Sequence, residues 1–225
     1  MRDIIVAPSI ICADPCNFSS ELKTLESAGA KLLHVDFIDG YFSPSVPIGI
    51  DTIKALNRCT SIPMSLHMMA KDNERFISMI EDIHFEHITF HLETTLHADR
   101  LLNKLHELGC KAGLALTPQT PVSCLEYLIE KCDVITLMLI NPGYAGSKQE
   151  CQISYALKKI SNVRNFIEKS GTDTKIEIDG RIKNEQIPGF VKAGADIIVS
   201  GSSGIFSKSM PYDKFFSEIK SIINI

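Results

Sequence analysis

No apolar stretch in this 225-residue chain approaches the roughly 20 residues that a membrane-spanning helix needs. No membrane partner is therefore expected. No basic run stands out either: 23 Lys and Arg stand against 27 Asp and Glu, a formal net charge of -4. Nucleic acid and acidic membrane surfaces select clustered Lys and Arg, so neither is an expected partner. The seven cysteines, at 12, 16, 59, 110, 124, 132 and 151, include no Cys-x-x-Cys pair. A structural zinc site or a redox dithiol is thus unsupported. Reduced, mostly buried thiols are the expectation; Cys12 and Cys16 are near enough in sequence to pair, but a bridge is not expected. The opening MRDIIVAPSI shows no signal-peptide pattern, and the expected location is cytoplasmic. No linker, low-complexity segment or exact repeat interrupts the chain, which reads as one domain over residues 1–225.

What the chain does contain is alternation. Apolar, β-rich runs at 4–11, 32–39, 63–69, 87–93, 111–117, 134–140, 174–179 and 196–206 are each followed by a helical apolar period. The helical segments include NFSSELKTLESAG, PVSCLEYLIEKC after a proline start, and KNEQIPGFVKAG, the last interrupted at Pro188. Eight strands and eight helices in strict order predict a parallel sheet with short crossovers. Their number and the chain length predict a single α/β domain of the (β/α)₈ TIM-barrel class. A doubly wound open sheet is the alternative, but five or six strands are its common number.

The chemistry of such a barrel lies at the C-terminal ends of its strands, and there the sequence concentrates His and Asp. His34 and Asp36, in HVDFIDG, alternate onto one face of the second strand. His67 ends the third strand and Asp179 the seventh. A buried carboxylate is costly unless it is paired or bound to a metal. Two imidazoles and two carboxylates suit one divalent ion, zinc, iron(II), manganese or cobalt. A hydrogen-bonded polar layer is the competing reading, and the convergence of four residues favours the metal.

Glycine-rich turns follow the last three strands: NPGYAG (141–146), DGR (179–181) and SGSSG (200–204). Glycine lets backbone N–H groups approach an anion. Three such turns on consecutive strands predict a phosphorylated ligand. The remaining histidines read as bland: His84, His87, His97 and His106 are expected in helices or loops, in solvent. His91, with Glu93 on the same face, is expected to support the site or to be a satisfied buried histidine. Glu177 is expected to support Asp179 from below. Met69 and Met138 fall where they would line the pocket.

The segments APSI (7–10), AGAKLLHVDFIDGYF (28–42), LHMM (66–69), LGCKAGLALTPQTP (108–121), NPGYAG (141–146), IEIDG (176–180) and AGADIIVSGSSGIF (193–206) give the chain a resemblance to the ribulose-phosphate 3-epimerase family. Its branches act on D-ribulose 5-phosphate and on D-allulose 6-phosphate. The resemblance implies a ribulose-phosphate-binding barrel and an isomerase that inverts carbon 3 of a phosphorylated ketose. It implies one divalent metal ion held by His34, Asp36, His67 and Asp179, with Asp36 and Asp179 as the acid/base pair. Ser9 and His67 would contact substrate, and Ile38 would join the pocket lining. The phosphate would lie against Gly143, Tyr144, Ala145, Gly146, Gly180, Arg181, Gly201 and Ser202. Family habit also implies a homo-oligomer.

The sequence departs from the family pattern at several points. Gly180-Arg181 stands where the family has Gly-Gly, which offers a guanidinium that could reach phosphate. Ile38 replaces a common Met, and GYAGS replaces GFGGQ. The stretch KQECQISY after it is longer and more polar than usual, as if to cover the site. Ser65 replaces an Asp and thereby removes a possible partner for a metal ligand. PGYAG and GSSGIF lean toward the allulose branch, although D-ribulose 5-phosphate is the first expectation. Two readings from other classes compete: a decarboxylase or aldolase on the same barrel, and a non-catalytic sugar-phosphate binder. The first uses an Asp-x-Lys-x-x-Asp pattern that DFID lacks; the second is disfavoured because all four metal and acid/base positions are filled.

Overall fold

The computed structural model describes residues 2–207 and 209–223. Eight strands run parallel: β1 (Ile5–Pro8), β2 (Leu33–Ile38), β3 (Met64–Met69), β4 (His87–His91), β5 (Lys111–Leu116), β6 (Val134–Met138), β7 (Lys175–Asp179) and β8 (Ile197–Ser200). Their spatial order is β1-β8-β7-β6-β5-β4-β3-β2, and a parallel bridge between Ser9 and His34 closes the ring. The chain is a TIM barrel. The helices among the described residues are α1 (Phe18–Ser27), α2 (Ile50–Cys59), α3 (Asn73–Ser78), α4 (Ala98–Glu107), α5 (Ala156–Ser170), α6 (Ile187–Ala193) and α7 (Tyr212–Ile223). None of them is long and apolar enough to cross a membrane.

Two-residue alternation sorts each strand into an outer and an inner face. Val35 and Phe37 of β2, Leu66 and Met68 of β3, Ile88 and Phe90 of β4, and Ile176 and Ile178 of β7 belong to the core cluster, together with helix residues such as Leu101, Leu102 and Leu105 of α4. Fully burying each such side chain stabilises the fold by about 1.5–3 kcal/mol. The inner face is different in kind. Ala7, Leu32 and Ile197 form a small apolar plug of their own. The interior otherwise holds buried Ser65, His67, His87, Thr89, His91, Thr136 and Glu177 beside His34 and Asp36. The helices hold the barrel together from outside, and that frees its axis for polar groups.

One of the eight expected helices is not formed. Between β5 and β6 the chain makes two 3₁₀ turns, Val122–Leu125 and Ile129–Lys131, parted at Leu128 (φ -121, ψ -20). The apolar spacing that predicted a helix still operates, since Leu125 and Ile129 are both buried. The hydrogen bonds instead close over three residues, from Leu128 N to Leu125 O and from Lys131 N to Leu128 O. Val122, Ser123 and Cys124 give such a segment little intrinsic helicity. Pro188 does not interrupt a helix either; it lies in the first turn of α6, after a 3₁₀ turn at Asn184–Gln186. There its missing N–H costs nothing. The thiols are all free, but only Cys110 and Cys132 are buried, and Cys16, Cys59 and Cys151 are exposed, so the expectation of mostly buried cysteines is corrected.

Gly113 marks where strands β4, β5 and β6 meet most tightly. A Cβ there would lie 2.2 Å from the Val134 carbonyl oxygen and 2.9 Å from Thr89 Cγ2. Gly113→Ala is expected to cost about 1–3 kcal/mol through overpacking, lowering Tm by about 2–4 °C per kcal/mol in a chain of this size. An unchanged Tm in a thermal melt would show that the strands can part at no cost.

Candidate active site

Register brings the strand-end residues together. Asp36 on β2 is the Cα partner of His67 on β3, and Met138 on β6 is the partner of Asp179 on β7. His34, Asp36, His67 and Asp179 each offer one ligand atom, and these atoms all lie within 4.8 Å of one another. His34 and His67 are fully buried, Asp36 is 4 % exposed, and the Asp179 side chain, nearest the mouth, is 20 % exposed. Asp36 is the hub. Its Oδ1 lies 3.3 Å from His34 Nε2 and 3.2 Å from His67 Nδ1. Its Oδ2 accepts a 2.8 Å hydrogen bond from the Ser9 hydroxyl.

Burial alone would raise both carboxyls. At Asp36 the His34 and His67 imidazoles outweigh burial and hold the group well below the usual carboxylate range. At Asp179 burial and the charge of Asp36 act together and push the carboxyl up to about 6. Burial likewise works against a charged His34, but Asp36 and Glu177 overcome it and raise the imidazole. The cluster is thus short of positive charge. His34 Nε2 is buried and, although 3.3 Å from Asp36 Oδ1, makes no well-aligned hydrogen bond, which is unusual for a ring nitrogen in a dry interior. An orphaned imidazole nitrogen, a second imidazole and two close carboxylates fit a divalent cation.

Beneath the four residues lies a layer that the sequence reading underestimated. Glu177 is fully buried. Its Oε2 is 3.6 Å from His34 Nδ1 and 3.2 Å from His87 Nε2, and its Oε1 accepts from Thr136 Oγ1 at 2.9 Å. Two imidazoles outweigh the cost of burial and keep Glu177 ionised. His87 is therefore not in solvent, as its charge type suggested; it is the first residue of β4 and only 2 % exposed. The period-two position it shares with His91 was the available signal. Ser65 does not leave a gap: its hydroxyl lies 3.1 Å from His34 Nδ1 and also donates to Leu33 O. On the other side, His67 Nε2 lies 3.0 Å from His91 Nε2, and His91 Nδ1 lies 3.1 Å from Glu93 Oε2. Burial lowers the His91 imidazole to about 4, against the opposing pull of Glu93.

Above the cluster opens a cavity of about 280 Å³. Ser9, Asp36, Ile38, Met69, Met138 and Asp179 line its floor, and Gly143, Ala145, Gly146, Gly180, Arg181, Gly201 and Ser202 its rim. Tyr144 is exposed and does not line it. Cys12, Ser45 and Ser203 line it without having been singled out; Ser203 lies inside the glycine-rich SGSSG, and Ser45 follows the Asp39-Gly40 turn. Gly143 has φ +80, and a Cβ there would lie 1.7 Å from Ser43 Oγ, so the β2 and β6 loops can meet only at a glycine. Ser43 Oγ donates to Pro142 O at 2.8 Å at this meeting point. The Arg181 guanidinium is already engaged, donating to Ala145 O at 2.8 Å and to Ser147 O. It straps the loop over residues 141–150 to the end of β7. The backbone of Arg181 has φ 50, a left-handed conformation that costs a non-glycine residue roughly 1–2 kcal/mol. Glu150 Oε1 further secures the loop by accepting from Asn141 N and Nδ2 at 2.7 and 3.0 Å.

Residues 5–206 match a family model described as the ribulose-phosphate 3 epimerase family. Among curated relatives, the ribulose-phosphate 3-epimerase of Escherichia coli is 37 % identical over 222 residues, covering 98 % of this chain and 96 % of the relative. That of Bacillus subtilis is 34 % identical, with 96 % and 98 % covered, and that of Methanocaldococcus jannaschii is 36 % identical, with 91 % and 85 % covered. Among solved structures, N-(5'-phosphoribosyl)anthranilate isomerase from Pyrococcus furiosus aligns with a TM-score of 0.65 at 17 % identity, covering 98 % of each chain. Mycobacterium tuberculosis tryptophan synthase aligns at 0.68 and 11 % identity, covering 100 % of this chain and 93 % of that one. These two likenesses establish the barrel and nothing further.

His67→Ala removes one of the four ligand atoms, and Ser65 and Glu177 still hold His34. The variant is expected to keep its circular dichroism spectrum and to carry well under one metal ion per chain by elemental analysis after loading. Full metal content in the folded variant would show that His67 is not a ligand.

Proposed function

This chain belongs to the ribulose-phosphate 3-epimerase family, and on that premise we propose that its site inverts carbon 3 of a ketose phosphate, interconverting D-ribulose 5-phosphate and D-xylulose 5-phosphate. The observation that carries this reading is the pair Asp36 and Asp179: one buried and one half-buried carboxylate, from strands three apart around the ring, in one cluster. Epimerisation next to a ketone needs a base on one face of the carbon and an acid on the other. β2 and β7 are separated by β1 and β8 around the ring, so a substrate entering the mouth lies between the two carboxyls.

The residues act in sequence. One carboxylate takes the proton from carbon 3, and the electron pair of that C–H bond moves toward the carbon 2 carbonyl to give an enediolate. The other carboxyl, protonated beforehand, delivers its proton to the opposite face of carbon 3; in the reverse reaction the two exchange roles. The differing surroundings of the pair suit this division. Asp36 is held ionised by two imidazoles and the Ser9 hydroxyl, whereas Asp179 is raised to about 6, within reach of a proton near neutrality. His34, Asp36, His67 and Asp179 would hold a divalent ion, and Zn, Fe(II), Mn and Co all suit the set. Such an ion offsets the negative charge that develops on the substrate oxygens.

Ile38, Met69 and Met138, each 2–3 % exposed, keep water from the reacting carbon. The phosphate fits the rim, where Gly143, Gly146, Gly180 and Gly201 present backbone without side chains and Ala145 adds only a methyl group. Arg181 contributes there through its backbone and by strapping the loop; Tyr144 stands outside.

Asp36→Asn and Asp179→Asn are each expected to lower kcat at least 100-fold, the lower end of what a positioned acid or base contributes, while the fold persists. Near-normal turnover in either would sink the two-carboxylate mechanism. Incubation of metal-loaded protein in D₂O with D-ribulose 5-phosphate is expected to erase the carbon 3 proton NMR signal as the epimer appears. Exchange with D-allulose 6-phosphate alone would move the substrate to six carbons, and exchange with neither would overturn the epimerase reading.

A further inference from the structure

The geometry points to His91 and Glu93 as positioning residues that set the tautomer of His67 and so decide whether this site can hold a metal ion. The inference rests on the metal reading of the cluster, yet it concerns residues outside the four ligands. His67 faces the cluster with Nδ1, 3.2 Å from Asp36 Oδ1 and 3.9 Å from Asp179 Oδ2. A metal therefore needs the lone pair of Nδ1, and the ring proton must sit on Nε2. His67 Nε2 has His91 Nε2 as its neighbour, at 3.0 Å. Two ring nitrogens share one hydrogen bond only if one donates and the other accepts.

Glu93 breaks that tie. Its Oε2 lies 3.1 Å from His91 Nδ1, and a carboxylate can only accept. His91 thus carries its proton on Nδ1 and leaves Nε2 as a lone pair. His67 Nε2 must then donate, and with a cation between it and Asp36 Oδ1, 3.2 Å away, His67 Nδ1 turns its lone pair to that cation. Each step on the His91 side follows from the charge type at Glu93. Glu93 is itself held in place: Thr117 N donates to its Oε1 at 2.8 Å, Thr117 Oγ1 at 2.9 Å, and Thr120 Oγ1 also donates. Lys159, buried on α5, binds the carbonyls of the same segment, Thr117 O and Pro118 O, at 2.6 and 2.9 Å. Phe42 packs on the His91 ring, centroids 4.6 Å apart, and restricts its rotation. The relay therefore runs from the loop after β5 through Glu93 and His91 to the face of His67 that binds.

Glu93→Gln tests the relay because it keeps the shape and reverses the logic. The amide oxygen is required by the three donors at the Oε1 position, since Thr117 N cannot accept. The amide NH₂ then faces His91 Nδ1, which must become an acceptor; His91 Nε2 donates, and His67 is forced to protonate Nδ1. Long-range ¹H–¹⁵N spectra of the metal-free protein at pH 8 are expected to place the His91 proton on Nδ1 in the wild type and on Nε2 in Glu93→Gln. Zinc titration against a competing chelator is expected to show affinity reduced about 10–100-fold in Glu93→Gln, the usual effect of removing a partner of a ligand. Glu107→Gln, the same change at an exposed position on α4, is expected to bind zinc like the wild type. Wild-type zinc affinity in Glu93→Gln, or a wild-type His91 protonated on Nε2, would overturn the relay. A wild type that binds no zinc would overturn the metal reading instead, and the wild-type tautomers decide the relay even if Glu93→Gln does not fold.

Discussion

Asp36 and Asp179 share a space too dry and too narrow for two uncompensated negative charges. Taking a carboxylate out of water costs several kcal/mol even after relaxation, and here a third, Glu177, lies one layer below. The structure answers with four imidazoles, His34, His67, His87 and His91, each within 3.3 Å of a polar neighbour in the same network. The balance is incomplete at the top, where Asp179 is raised and His34 Nε2 makes no well-aligned hydrogen bond. That residual imbalance is what a cation would correct and what the proposed proton transfer would use. Most other features of the interior can be understood as supports for it.

The support divides by face. Outside the sheet, branched and aromatic side chains bury against the helices and supply the stability of the fold. Inside, apolar packing divides between a plug of Ala7, Leu32 and Ile197 toward the N-terminal end and Ile38, Met69 and Met138 at the mouth, and polar groups occupy the axis between them. A barrel tolerates this because its strands are hydrogen-bonded to neighbours on both sides, so the backbone needs nothing from the interior. The two carboxylate supports beside the cluster, Glu177 buried and Glu93 partly exposed, differ in kind. Glu177 sits beside His34 and His87 directly, whereas Glu93 reaches His67 through His91 and is anchored by the loop after β5.

At the mouth, backbone conformation takes over from side-chain charge. Glycines 143, 146, 180 and 201 bring main chain to the rim of the cavity. Arg181 is the exception: a non-glycine residue at positive φ whose guanidinium is spent on the carbonyls of the β6 loop rather than left pointing into the cavity. The polar stretch that follows Gly146 is accordingly tied down at both ends, by Arg181 and by the Glu150 contacts to Asn141.

The alternation of β-rich and helical periods was enough to establish the barrel, because period two and period 3.6 are local properties of a chain. It was also enough to put His34 and Asp36 on one face and to place His67 and Asp179 at strand ends. It misread the segment 122–131, where the same apolar spacing is satisfied by two 3₁₀ turns, and it misread His87, because a histidine's charge type carries no information about which side chain lies across a barrel. Glu177 reaches His87 over 90 residues of sequence, and Ser65 reaches His34 over 31. The engagement of Arg181 with Ala145 and Ser147 belongs to the same class. Sequence alone thus determined which His and Asp residues stand at the strand ends and which face they share. Tertiary structure decided how they are paired, since hydrogen bonds and charge compensation depend on distances that exist only after the ring has closed at Ser9 and His34.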